Sequence, residues 1–165
     1  MKRLLAYFLL TLGLVSGVGA QQDTIQQFLR ETPRFAILSE LVEEAGLAEL
    51  LQQDGPFTML VPPDHVFAEL PGDTLTALRN DPELLEYVIS HHIIEAEMSV
   101  INLLDLETME VQAMSGEDLH IDLEDGLLRV DDAAIVSPDY ETGNGIVHEV
   151  DGLLMPPEPE EPENN

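Results

Sequence analysis

The sequence predicts an α+β fold, with helices filling the first two-thirds of the chain and strands the last third. Two patterns carry that prediction. Apolar residues recur at helical spacing from Ile25 to Ile89. From Val111 onward they alternate with polar residues over short runs bounded by turn signals. A third observation bounds the size. The 165 residues include no cysteine, so one domain must be held by its core, without disulfides or thiol chemistry.

Taken in order, Thr24-Ile25-Gln26-Gln27 has the form of a capping box, and Ile25, Phe28 and Leu29 give the first helix an apolar stripe. Thr32-Pro33 restarts the helix, with proline at its tolerated first position. Phe35, Leu38, Leu41, Val42 and Ala45 then repeat at helical spacing up to a stop at Gly46. Leu47, Leu50 and Leu51 continue a short helix to the Asp54-Gly55 turn. Residues 57–61 form a core strand, which the chain leaves at Pro62-Pro63 because proline cannot continue a ladder. Asp64 is placed to cap a short helix carrying Val66, Phe67 and Leu70. Further helical patterns begin near Thr74 and at Asn80-Asp81-Pro82, the second bearing Leu84, Leu85, Val88 and Ile89. After His92 the pattern turns extended, so His91 and His92 are expected on opposite sides of a strand. Residues 100–104 form a helical turn or two.

In the last third, Leu119, Ile121 and Leu123 alternate with Asp118, His120 and Asp122, as in a half-buried strand. Asp125-Gly126 suits a hairpin turn. Residues 127–130 and 133–136 are the next strands, before the turn at Asn144-Gly145. The final strand places Ile146, His148 and Val150 on one face and Val147, Glu149 and Asp151 on the other. A histidine sharing a face with two β-branched aliphatics is buried and needs hydrogen-bond partners.

Two separated segments resemble the signature motifs of fasciclin-like (FAS1) domains, in the right order and spacing. The first is Phe57-Thr58-Met59-Leu60-Val61-Pro62-Pro63-Asp64-His65-Val66-Phe67. The second is Asn144-Gly145-Ile146-Val147-His148-Glu149-Val150-Asp151-Gly152-Leu153-Leu154-Met155-Pro156. Between them, Leu84-Leu85-Glu86-Tyr87-Val88-Ile89-Ser90-His91-His92-Ile93-Ile94 resembles the family's central tyrosine-histidine segment. The resemblance runs from about Thr24 to Pro156. It implies a β-wedge of two sheets flanked by helices along its edge and a FAS1 domain over residues 21–156; the absence of catalytic motifs, separately, leads to the expectation of no enzymatic activity. It also implies that Asp64 and His92 are linked by hydrogen bonding near the core. Candidate structural and interaction residues are Thr58, Asp64, Phe67, His92, Asn144, Gly145, His148 and Asp151. The chain departs from the pattern where Pro63 replaces the usual threonine, Val66 a common alanine, and His91 the usual tyrosine. It has no Arg-Gly-Asp tripeptide either, so an integrin ligand is not expected.

Residues 1–20 read as a signal peptide, with Lys2 and Arg3 as a basic start, residues 4–15 as the apolar core, and Val18-Gly19-Ala20 as the cleavage site. The apolar run is shorter than the roughly 20 residues that span a bilayer, so no membrane insertion is expected. Without cysteine there is no lipid anchor. A secreted or periplasmic monomer is the expectation. Residues 157–165, rich in proline and glutamate, read as a disordered acidic tail.

Charge narrows the partners. The chain carries 6 basic and 33 acidic residues, a net charge of −27. Without Lys2 and Arg3 only Arg30, Arg34, Arg79 and Arg129 remain as cations. Such a surface repels nucleic acid and anionic lipid headgroups. It suits polyvalent cations, basic partners or salty surroundings. The five histidines show no metal-site spacing, and no cofactor is expected. His65 and His120 are expected to be exposed. The serines at 39, 90, 99, 115 and 137 lack a nucleophile-elbow context. The leading functional expectation is cell-surface or extracellular-matrix adhesion through an extracellular protein or polysaccharide. The alternative is a soluble carrier of a small hydrophobic ligand such as a pigment or lipid.

Overall fold

The computed structural model describes residues 23–105 and 110–157. The leader and the tail beyond Pro157 lie outside the described residues. The helical part opens with α1 (Ile25–Glu31), whose Thr24–Gln27 capping box is formed as the sequence predicts. Pro33–Phe35 is a single 3-10 turn, and α2 (Ala36–Glu44) follows, ending just before Gly46, whose φ of 75° suits the glycine stop. A second 3-10 turn, Leu50–Gln52, leads to β1 (Phe57–Val61). Then come α3 (Asp64–Glu69), α4 (Thr74–Asn80) and α5 (Pro82–His91). Asp81 caps α5 by accepting from the Leu84 N–H, and proline takes the first position.

The remaining elements are β2 (Ile93–Ile94), α6 (Val100–Leu104), β3 (Glu110–Gln112), β4 (Asp118–Glu124), β5 (Leu127–Val130), β6 (Ala133–Thr142) and β7 (Gly145–Val150). Strands lie in the order β2-β1-β7-β6-β5-β4-β3. All neighbours are antiparallel except β1 and β7, which run parallel with Phe57 opposite Gly145 and Val61 opposite Glu149. The two signature motifs are therefore hydrogen-bonded partners, side by side in the sheet next to its β2 edge. β6 joins the two halves: its first residues pair with β5 and the rest with β7, across register shifts around Ser137. The sheet curls nearly into a barrel. Its ends approach where the Met114 N–H donates to the Ile93 carbonyl at 2.7 Å.

Two cores lie on the two faces. Helices α1, α2 and α5 bury Leu29, Phe35, Leu38, Val88 and Ile89 against Met59, Val61 and Val147. Inside the curl, Leu60, Ile121, Val130, Ile135 and Val150 pack together with Leu103 of α6. β1 is buried along its whole length, which is why its sequence is apolar apart from Thr58, whose hydroxyl is hydrogen-bonded.

Four expectations change. Val147, assigned to the polar face of β7, is fully buried because helices cover that face. Leu123 is 59% exposed because the β4–β5 hairpin tip projects past the core. β6, expected over residues 133–136, runs on to Thr142 through Pro138. His91 and His92 are the last residue and C-cap of α5, and both are buried.

Candidate functional site

Asn144 is the knot of the second motif. It sits in the tight turn between β6 and β7, almost fully buried. Its Oδ1 accepts from the Ile25 N–H at 2.9 Å, a donor that α1 leaves unpaired at its first turn. Its Nδ2 donates to the carbonyls of Leu51 at 2.9 Å and Gln53 at 2.8 Å. Its own carbonyl accepts from the Phe57 N–H at 3.0 Å. One residue thus ties α1, the second 3-10 turn and β1 to the start of β7, the first two through its side chain and β1 through its carbonyl. Gly145 is required by close approach, since a Cβ there would collide with the Phe57 carbonyl.

Thr58 and His148 clamp one connection, residues 95–99. The Thr58 hydroxyl donates to the Ala96 carbonyl at 2.6 Å and accepts from the Met98 N–H at 2.8 Å. His148, fully buried as expected, presents Nε2 to the Met98 carbonyl at 2.7 Å, and its Nδ1 accepts from the Asp139 N–H at 3.1 Å. These partners fix a neutral ring protonated on Nε2. Burial pushes the His148 pKa down, against the pull of the Met98 carbonyl and the Asp139 carboxylate.

Asp64 and His92 do not pair, contrary to what the resemblance implied. Asp64 does not cap its own helix either, since Pro63 occupies that position. Its Oδ1 accepts from the Ile37 N–H at 2.9 Å, satisfying a first-turn donor of α2 from across the fold. His92 donates from Nδ1 to the Val88 carbonyl at 2.8 Å, while its Nε2 accepts from the Leu154 N–H at 3.0 Å. It therefore joins α5 to the segment after β7. Full burial lowers its pKa to about 4, so it is neutral across the physiological range. Asp151 bridges to β6, accepting from the Ala134 N–H at 2.6 Å. Phe67 packs in the helical core. All eight candidates thus fall into local ties rather than one open site.

Polar chemistry elsewhere is equally committed. His91, buried at the end of α5, sits between Ser115 Oγ at 2.9 Å and the Asp131 carboxylate at 3.6 Å. His65 and His120 are exposed, as expected. Among the described residues, no group of three or more histidines and carboxylates is placed to hold a metal ion. No helix of the described residues is long and apolar enough to cross a membrane.

Three hollows of about 250, 260 and 460 Å3 are lined almost wholly by polar residues and glycine, the first two beside the β6–β7 turn and the third at the β4–β5 hairpin. The open feature with several apolar side chains in its walls is a groove along α5. Two hollows of about 340 and 500 Å3 share Glu83 and Tyr87. Leu47 and Met114 line one and Leu84 the other. Asp81, Glu86 and Glu117 complete an acidic rim without a single lining cation. The Tyr87 hydroxyl donates to Glu117 Oε1 at 2.9 Å, which fixes the ring across the groove. Burial and that carboxylate raise its pKa, so the phenol stays neutral. Sequence reasoning treated this stretch of α5 as core. The signal was there: Glu83, Tyr87 and Ser90 follow at i, i+4 and i+7, and so share one helix face.

A helix-flanked, curled mixed sheet whose two motif strands pair in parallel defines the FAS1 class of module. The chain belongs to the Fasciclin family, whose domain model matches residues 33–156. It is 34% identical over 122 residues to an uncharacterized Synechocystis sp. protein, covering 74% of this chain and 90% of that one. It is 32% identical over 138 residues to the transforming growth factor-beta-induced protein ig-h3 of Sus scrofa, covering 81% of this chain but only 20% of that protein. The same fold occurs in a FAS1 domain pair from the insect cell adhesion molecule Fasciclin I. There the TM-score is 0.66 at 16% identity, over 81% of this chain and 51% of that one. No enzyme family is indicated.

Proposed function

We propose that this chain is an exported adhesion module that binds an extracellular protein through the groove along α5. Family membership supports the adhesion reading, and the leader-like residues 1–20 support export. The observation that carries the choice of surface is the division of labour among side chains. The motif residues are spent on internal hydrogen bonds, while Glu83, Tyr87 and Glu86 face an open groove with apolar walls. Aromatic residues in such hollows are favoured anchors for protein partners. A carrier of a small hydrophobic ligand has less support, because both hollows are edged by carboxylates.

The test is retention from a cell-envelope extract of the native host on the immobilised chain. The expected result is a discrete set of proteins retained above background. A chain that retains no protein at any salt concentration, or that purifies from its host with a pigment or lipid bound, contradicts the reading.

A further inference from the structure

The chemistry of the groove narrows the partner further. We infer that it takes a lysine- or arginine-bearing segment of a partner protein, with the alkyl stems on the apolar walls and the charged heads on the rim. This rests on the adhesion reading above.

Charge complementarity is the first argument. All four arginines outside the leader already face carboxylates elsewhere: Arg30 at Glu43, Arg34 at Glu149, Arg79 at Glu40 and Glu44, and Arg129 at Glu124. None lines the groove, so the field of Asp81, Glu83, Glu86 and Glu117 is uncompensated by any cation of the lining. The Pro157 carbonyl, 3.4 Å from the Tyr87 hydroxyl, adds one more acceptor to this side of the groove. An anionic partner is repelled here.

The second argument is the groove's apolar component. A bare inorganic cation has no use for Leu47, Leu84 and Met114, whereas a lysine or arginine side chain buries its methylenes on such surfaces while its head stays in water. Tyr87 offers a ring to a cation held by Glu117 beside it. Carboxylates set among apolar side chains, with the Tyr87 ring held by Glu117, favour a segment that alternates basic and apolar residues.

The test uses the chain from Gln21 to Asn165 and a labelled peptide of alternating lysine and leucine, read by fluorescence anisotropy. Its counterpart with glutamate for lysine is the sign control. The triple variant Glu83→Gln, Glu86→Gln, Glu117→Gln should weaken the Kd about tenfold, as loss of three exposed ion pairs implies. A charge-matched control, Glu31→Gln, Glu69→Gln, Asp122→Asn, alters exposed positions outside the groove and should change it less than about twofold. Tyr87→Ala should weaken binding and Tyr87→Phe should leave it nearly unchanged, with melting curves verifying that each variant is folded. Equal losses in the two triple variants, or equal binding of the glutamate peptide, overturns the inference. If the groove variant keeps the same extract proteins as the parent chain, the inference fails while adhesion stands. If the parent chain retains none, adhesion fails whatever the peptide does.

Discussion

At the scale of single residues, Asn144 and the buried histidines carry the sharpest consequences. Asn144→Ala removes four side-chain bonds, the one from the Thr142 hydroxyl being long at 3.5 Å, and strands the Ile25 N–H and the Leu51 carbonyl in buried surroundings. At about 1 kcal/mol for each bond, and more for a buried group left unpaired, urea unfolding should show a loss of about 3 kcal/mol or more. His92 sets a pH dependence whose sign is fixed. Its folded pKa of about 4 lies below the ordinary histidine value of about 6.5, so the unfolded chain binds the extra proton between those values. Stability contributed by the neutral ring is complete above about pH 6.5 and is lost as pH falls toward 4, by up to about 3 kcal/mol. A protonated ring would turn its Nε2 acceptor into a donor facing the Leu154 N–H. His148 shifts in the same direction. In urea melts between pH 7 and pH 4.5, His92→Gln should show a smaller pH-dependent loss than the parent chain. Equal losses would mean that His92 is not the titrating group.

At the scale of elements, the pairing of β1 with β7 decides whether the sheet closes around its centre. Gly145→Ala places a methyl group on the Phe57 carbonyl at the first rung of that pairing. A loss of more than about 3 kcal/mol in thermal or urea unfolding is expected, in the range of severe backbone clashes. Asp64→Ala should cost about 1 kcal/mol, as for a lost helix cap, although the helix it caps is α2 and not its own. Local signals were legible. The Thr24–Gln27 box, the cap of α5 at Asp81 and the Asp125-Gly126 turn each depend on neighbours within a few residues. What the sequence hid was set by distance along the chain. Asp64 lies 27 residues from the N–H it satisfies, so its own helix looked like the natural partner. The strand expected to end at Val136 continues to Thr142, passing Ser137-Pro138-Asp139 by a register shift and a positive φ at Asp139. The site residues were legible as motifs, but their bonding partners were mostly backbone atoms, which no residue pattern announces.

At the scale of the whole molecule, charge and surface set behaviour. With 33 acids against 6 bases, the compact state works against its own repulsion. Screening shortens from about 30 Å at 0.01 M salt to about 3 Å at 1 M, so the melting temperature should rise over that range of sodium chloride. Potassium chloride should act almost equally. A saturable response to millimolar calcium would instead require a specific site. Stability thus belongs to the motif strands and, in the function proposed, recognition to α5. Hydrogen–deuterium exchange on the chain, with and without the lysine–leucine peptide, tests that assignment most directly. It predicts slowed exchange confined to residues 81–91 and 113–117 when the peptide is bound. Slowed exchange centred on the β6–β7 turn, or no change at all at a saturating peptide concentration, would contradict it.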